Sequence, residues 1–375
     1  MEVIFWTAAL LFLSSWFLYP LALALLCPLF RRFSRDWPEM EEWPSVSVLI
    51  AARNEEAVIA HRIENLLGQD YRGEMEILIG SDCSTDATDS IIGSYSSRGV
   101  RLFRSESRVG KPVMLRKLRS ICAGEILVFT DADTVFRPDT VKQLVLPYSD
   151  PSVGCVDGCR RNSLEDETCE SVYWKYEKTV KKLCSCLGAV LGATGAVFSL
   201  RKSLYLPLTE NRADDFELAV MTRLQGKACV YNENAVAMEP SPKDDRQYRR
   251  MVRIVSWMMV SAFHLMFRAL RRGRVLLFLQ LTVHKLLRWL SGFFLAVCTL
   301  MAGLLSGGSF YLVLFVLLIL FHLLAAAGWL IGKRIPSKLL FPYYFWLMNG
   351  AALHGILRTL TGNPVETWEK KRGQD

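Results

Sequence analysis

The run Ile126-Leu127-Val128-Phe129-Thr130-Asp131-Ala132-Asp133 sets the fold of this 375-residue chain. Four consecutive apolar residues fit a strand covered on both faces of a parallel sheet, where alternation is not needed. The strand ends in two carboxylates one residue apart. Open α/β sheets bind ligands beyond the carboxyl ends of their strands, and paired carboxylates there offer oxygen donors to a hard divalent cation. The same residues also fit a strand followed by an Asp-rich turn. The flanking sequence bears on that choice.

Toward the N-terminus, residues 45–52 (Ser-Val-Ser-Val-Leu-Ile-Ala-Ala) form a strand by their β-branched run. Arg53-Asn54-Glu55-Glu56 is predicted to open a helix with acids in its first turn. Residues 76–82 repeat the pattern, with Ser84-Thr85-Asp86 as the next helix cap. Residues 100–103 read as a short third strand, and Arg108-Val109-Gly110-Lys111-Pro112 as another helix start. Strands alternating with helices predict βαβ units, and therefore an α/β domain with a mainly parallel, Rossmann-like sheet. Three loops (53–55, 81–82 and 131–133) then fall on one carboxyl edge, where such sheets hold nucleotides.

Downstream, Gly192-Ala193-Thr194-Gly195 is a small-residue turn before an apolar strand. It either lets backbone approach a ligand closely or makes a tight bend. Asp214-Asp215 opens a helix, and adjacent acids there read as caps or as site groups.

The rest of the composition is that of a membrane protein. Residues 1–30 hold an apolar run long enough to cross a bilayer. Arg31, Arg32 and Arg35 follow it and put its C-terminal end in the cytosol. Without a preceding positive charge, it does not read as a cleaved signal peptide. A polar linker, 31–44, leads to a cytosolic domain at 45–245. From 246 to 283, Arg246, Arg249, Arg250 and Arg253 share one helical face. Met251, Ile254, Val255, Met258 and Met259 lie opposite, as in an interfacial amphipathic helix. Within 284–363, residues 286–306, 310–331 and 339–360 are three further spanning candidates, and 364–375 is a basic tail. Four spans starting outside leave the C-terminus outside, whereas the tail's charges favour the inside; the topology stays open. His322 in mid-span reads as a functional group or as a neutral histidine bonded between helices, and Asn349 and Arg358 as helix glue or substrate contacts.

The net charge of +8 comes largely from basic residues beside apolar segments, which suits anionic headgroups and excludes no fold, but no nucleic-acid recognition motif accompanies it. Nucleic acid is therefore not an expected partner. The ten cysteines lack metal-ligand spacing and read as reduced thiols.

Taken in order, Ala52-Arg53-Asn54-Glu55, Ser81-Asp82 with Ser84, Asp86 and Thr88, Gly110-Lys111, Asp131-Ala132-Asp133, Asp214-Asp215 and Gln247-x-x-Arg250 resemble the membrane-bound family 2 glycosyltransferases. That group includes hyaluronan, chitin, cellulose and poly-N-acetylglucosamine synthases and ceramide glucosyltransferase. The resemblance implies a GT-A nucleotide-sugar domain flanked by N- and C-terminal transmembrane helices. It also implies roles. Glu55 and Asp82 would contact the base, Asp82 at the uracil, with Lys111 near the nucleotide. Asp133 with Asp131 would hold Mg²⁺ or Mn²⁺ against the diphosphate, and Gln247 and Arg250 would meet that diphosphate. Asp215 would be the general base, with Asp214, Gly195 and Met251 in the acceptor region. The chain departs from the pattern at Met251, where the family has Trp near the acceptor sugar.

The expected activity is inverting, metal-dependent transfer from a nucleotide donor, UDP-linked, to a saccharide or lipid-linked acceptor at the membrane. The protein would sit in the plasma or inner membrane with its catalytic domain cytosolic. The alternatives are a processive polysaccharide synthase and a non-catalytic nucleotide-sugar-binding scaffold or transporter. Oligomeric state is left open.

Overall fold

The computed structural model describes residues 1–33, 37–162, 169–208, 212–239, 244–331 and 340–362. Arg35, the basic turn at 332–336 and the tail at 364–375 lie outside the described residues. The chain forms two compact units. A sheet unit comprises Phe30–Leu164 and Cys184–Ser241, and a helical unit comprises Met1–Leu29, Glu165–Leu183 and Pro242–Val365.

In the sheet unit the strands are β1 (Val46–Ala52), β2 (Met75–Asp82), β3 (Val100–Ser105), β4 (Ile126–Thr130), β5 (Val135–Phe136), β6 (Val153–Asn162), β7 (Phe198–Arg201) and β8 (Ala228–Glu239). Among the described residues they form one sheet in the order β3-β2-β1-β4-β7-β6-β8-β5. β3, β2, β1 and β4 run parallel, as the alternating pattern predicts. Beyond β4 the sheet is mixed: β7 pairs antiparallel with both β4 and β6, β6 runs parallel to β8, and β5 pairs antiparallel with β8. Val48, Ile50, Ile79 and Val128 are completely buried, and Phe129 stacks on Phe198 at 4.5 Å. Each such side chain contributes about 1.5–3 kcal/mol by leaving water. This is why these strands read as unbroken apolar runs.

One expected helix starts late. The Arg53–Glu56 stretch is a turn, and the helix runs Ile59–Leu67. Asn54 sits at φ 51°, a left-handed conformation that a helix cannot propagate, so the chain reverses before the helix begins. Helix Lys111–Ile121 starts after β3 as expected, whereas helix Thr88–Ser94, which follows β2, has Ala87 at its N-cap and not a residue of Ser84–Asp86.

Within the helical unit, Glu2–Phe30 and Ser309–Leu330 are, among the described residues, the helices long and apolar enough to cross a membrane. Val275–Trp289 and Ser291–Leu304 meet at a 63° bend, so the apolar run beginning at Leu286 is not one straight helix. Phe341–Leu360 is a 20-residue helix whose hydropathy is lowered by Tyr343, Tyr344, Asn349, His354 and Arg358. Asn349 does act as glue: its Oδ1 accepts Ser291 Oγ at 2.7 Å and Gly292 N at 2.9 Å. His322 is likewise bonded between helices, with Trp346 Nε1 donating to Nδ1 at 3.0 Å and Thr299 Oγ1 lying 2.9 Å from Nε2. The basic-faced stretch is a 28-residue helix, Asp244–Arg271, with Val252, Val255 and Met259 buried.

Candidate active site

Parallel pairing puts the ends of β1, β2, β3 and β4 on one edge: Ala52 lies beside Ser81, Asp82 beside Ser105, and Ile50 beside Thr130. The loops after β1 and β2 are stitched together. Asn54 Oδ1 accepts Thr85 N at 2.9 Å, Glu55 N donates to Thr88 Oγ1 at 2.8 Å, and Glu56 Oε2 accepts Ala87 N at 2.9 Å. Both loops hold a non-glycine residue at positive φ, Asn54 and Cys83. Such strain persists only where neighbours enforce it. Glu55 is 2% exposed in this stitch.

Asp82, at the end of β2, accepts Val109 N at 2.7 Å and Gly110 N at 2.9 Å. Gly110 takes φ 80°, which a side chain would resist, and so turns the chain to start helix Lys111–Ile121 beneath that carboxylate. Lys111 Nζ then reaches Asp131 Oδ1 at 2.8 Å and Asp214 Oδ2 at 3.6 Å. Burial disfavours its charge, but Asp131, Asp214 and Asp215 outweigh that and hold the ammonium above its ordinary pKa.

Asp214 and Asp215 fall in the first turn of helix Asp214–Leu224, whose N-cap is Ala213. Neither is the cap residue, although Asp215 Oδ1 accepts the amide of Phe216 at 2.7 Å. Burial, and then the neighbouring charge of Asp214, push the Asp215 carboxyl up to about 6, against the pull of Lys111. A carboxyl raised toward neutrality by desolvation and a like charge is what a proton acceptor needs. Gly195 is in the turn that leads into β7. A Cβ there would stand 3.1 Å from Asp215 Oδ2 and 3.8 Å from Lys111 Nζ, so only glycine leaves this approach open.

The structure thus brings Lys111, Asp131, Asp214, Asp215 and Gly195 together, with Asp82 at the base of the Lys111 helix. Gln247, Arg250 and Met251 belong to helix Asp244–Arg271 of the helical unit, where Arg250 and Met251 are half-buried.

Three contributors were not read from the sequence. Asp157 on β6 is fully buried, and its Oδ1 accepts Thr194 N at 2.7 Å, fixing the turn that carries Gly195. Its signal was a lone acid in the apolar run starting at Val153. Arg62 and Asn65 lie on helix Ile59–Leu67. Arg62 falls on the face of Ile59, Ile63 and Leu66, and a charge on an apolar stripe was there to be seen. Burial lowers its pKa to about 9, partly offset by the charges of Asp131 and Asp133.

Among the described residues no group of three or more His, Cys, Asp or Glu side chains is arranged to hold a metal unaided. Asp131 and Asp133 make an all-oxygen pair at the end of β4. That pair fits Mg²⁺ or Mn²⁺, which bind through one or two carboxylates with phosphate oxygens and water completing the shell.

Comparison with known proteins points the same way as these residues. The profile of Glycosyl transferase family 2 matches residues 47–206, which run from β1 past β7. Residues 47–206 are therefore similar to a family 2 glycosyltransferase domain. An N-acetylglucosaminyltransferase of Mesorhizobium japonicum is 26% identical over 212 residues, covering 54% of this chain and 48% of that protein. A beta-monoglucosyldiacylglycerol synthase of Nostoc sp. is 35% identical over 118 residues, covering 30% and 25%. The match thus spans about half or less of the length of these relatives. The solved mannosyltransferase PcManGT from Pyrobaculum calidifontis, in complex with GDP-Man and Mn²⁺, superposes with a TM-score of 0.69 at 20% identity. That superposition covers 96% of this chain and 98% of that one, and at this identity it shows a shared fold. The glycosyltransferase domain has the expected GT-A, Rossmann-like sheet.

Proposed function

We propose that this protein transfers a sugar from a nucleotide-diphosphate donor, UDP-linked, to a hydroxyl of a saccharide or lipid-linked acceptor at a membrane, with inversion at the anomeric carbon. The observation that carries this reading is the cluster of Lys111, Asp131, Asp214 and Asp215 on the ligand edge of the sheet, with Asp215 raised to about 6.

The chemistry follows from the residue types. A sugar bound to diphosphate leaves as negative charge develops on the phosphate oxygens, and a divalent cation held by Asp131 and Asp133 supplies the neutralising charge when bound. Lys111 adds a fixed cation beside Asp131. The acceptor hydroxyl must lose its proton as it attacks, and the Asp215 carboxylate takes it, worth about 10²–10⁴-fold. One in-line displacement forms the new C–O bond and breaks the bond to diphosphate, converting an α-linked donor into a β-linked product. In this reading Glu55 and Asp82 contact the base of the donor, and Asp214 and Gly195 border the acceptor. The names of the relatives, one acting in N-acetylglucosamine transfer and one in glucolipid synthesis, support either acceptor class. Glu2–Phe30 and Ser309–Leu330 anchor the protein in the bilayer, with the sheet unit cytosolic.

The test is UDP release from a panel of UDP-sugars by the purified full-length chain with Mn²⁺ and with EDTA. Mn²⁺-dependent release with at least one donor is expected. No release with any donor, together with no Mn²⁺-dependent UDP binding, overturns the proposal.

A further inference from the structure

Helix Ile59–Leu67 buries a side chain that packing alone does not require. Arg62 is 1% exposed, among Ile59, Ile63 and Leu66. A buried guanidinium carries a desolvation cost of several kcal/mol, and an apolar side chain of similar volume is often as stable or more so. Its Nε has no hydrogen-bond partner, and none of the described ion pairs gives it a carboxylate in contact. The stability of the fold therefore does not explain it.

Its contacts do point somewhere. Arg62 Nη2 donates to Thr130 Oγ1 at 2.8 Å, and Nη1 donates to Asn65 Oδ1 at 2.5 Å. The guanidinium also lies 4.1 Å from the centre of the Phe136 ring. Asn65, one turn further along, accepts Phe136 N at 2.8 Å and donates to Phe136 O at 2.8 Å. Thr130 is the residue before Asp131, and Phe136 follows shortly after Asp133. Two side chains of one helix thus grip both ends of the loop that bears the carboxylate pair. The carboxylates whose charge Arg62 feels are those same two, Asp131 and Asp133.

We propose that Arg62 and Asn65 form a buried bracket that positions Asp131 and Asp133 for a divalent cation, fixing the loop at both ends from beneath. This rests on the donor-site reading above. Arg62 acts through the loop and is a positioning residue. Partners of this kind behind metal ligands are worth roughly 10–100-fold in metal affinity.

The experiment uses the full-length chain in detergent, with Mn²⁺ binding followed by electron paramagnetic resonance of the free ion, with and without UDP. Three variants are compared: Arg62→Met, neutral and of similar length; Arg62→Lys, charged but without the fork; and Thr130→Val, which removes only the acceptor on the loop. Arg62→Met is expected to weaken Mn²⁺ binding in the presence of UDP by about 10–100-fold. Thr130→Val should weaken it in the same direction, and Arg62→Lys should recover part of the loss. Metal-free UDP binding and the unfolding temperature in EDTA should stay near wild type. A folded Arg62→Met protein that binds Mn²⁺ as the wild type does overturns the bracket. So does a fall in unfolding temperature with unchanged Mn²⁺ affinity. If Arg62→Met does not fold, wild-type Mn²⁺ affinity in Thr130→Val overturns it instead. A wild-type protein whose UDP binding ignores Mn²⁺ overturns the donor-site reading itself, and the bracket with it. Variants that match a Mn²⁺-dependent wild type overturn the bracket alone.

Discussion

Lys111→Gln should move the acid limb of the pH–rate profile. The limb of kcat/KM reports the free enzyme's essential base. With Asp215 in that role, activity should rise with pH through about 6. Lys111 Nζ and Asp215 Oδ2 lie 3.8 and 3.1 Å from the same point beside Gly195. They are therefore no more than about 7 Å apart, where opposite unit charges attract by about 2 kcal/mol at an effective dielectric constant of about 20. The cation favours the carboxylate, so its loss raises the proton affinity of Asp215. One pH unit corresponds to about 1.4 kcal/mol, so the limb should move up by one to two units, to between about pH 7 and 8. The assay is initial-rate UDP release across pH 5–9 at saturating Mn²⁺, about the range over which Asp215 would titrate. A limb that stays within about 0.3 units of wild type, in a variant still active at high pH, refutes either the base or the reach of Lys111.

Asp215→Asn should abolish transfer yet retain UDP binding, as calorimetry would register; normal turnover would remove Asp215 from the role of base. The same change should stabilise the fold at pH 8. The folded-state value of Asp215 stands above its unfolded one. Its protonated form is therefore favoured at low pH, and stability is lost as pH rises from about 4 through 6. The gain on substitution should reach about 2 kcal/mol, allowing for solvent screening of a difference of at most about 3, and should vanish near pH 4 in thermal unfolding. Asp133→Ala should weaken Mn²⁺-dependent UDP binding and leave metal-free binding nearly unchanged, again by calorimetry; equal Mn²⁺ dependence would take Asp133 out of the metal pair. Gly195→Ala sets a methyl 3.1 Å from Asp215 Oδ2, and the displaced carboxylate should lower kcat by about 10–100-fold with UDP affinity intact. Unchanged kcat would mean that the acceptor does not pass between them.

The legible parts of this fold are those whose physics is local. β1, β2 and β4 are buried on both faces, so their apolar runs announce them, and the carboxyl-edge loops follow from parallel pairing. β6 and β8 were not foreseen. β6 carries Asp157, Arg160 and Arg161, and β8 carries Asn232, Glu233 and Asn234, polar breaks in the apolar pattern, of which the buried Asp157 and Asn232 bond to residues distant in sequence. For example, Asn232 Nδ2 donates to Gln143 O. The late start of helix Ile59–Leu67 was equally hidden, because the left-handed turn at Asn54 is enforced by Ser84 and Thr85, some thirty residues on. In the site, the acids could be found by their spacing. Arg62 and Asp157 act from behind the loops, through contacts that no local motif encodes.

The stitching of the β1 and β2 loops also constrains how either loop can be exchanged or drift. Replacing residues 53–58 alone strips Thr85 N and Ala87 N of the side-chain acceptors they hold now, Asn54 Oδ1 and Glu56 Oε2. The recipient loop would lose its shape along with the exchanged one. Segments 53–58 and 83–88 therefore form a single heritable cassette. Chimeras with relatives should fold and bind donor when both segments come from the same parent.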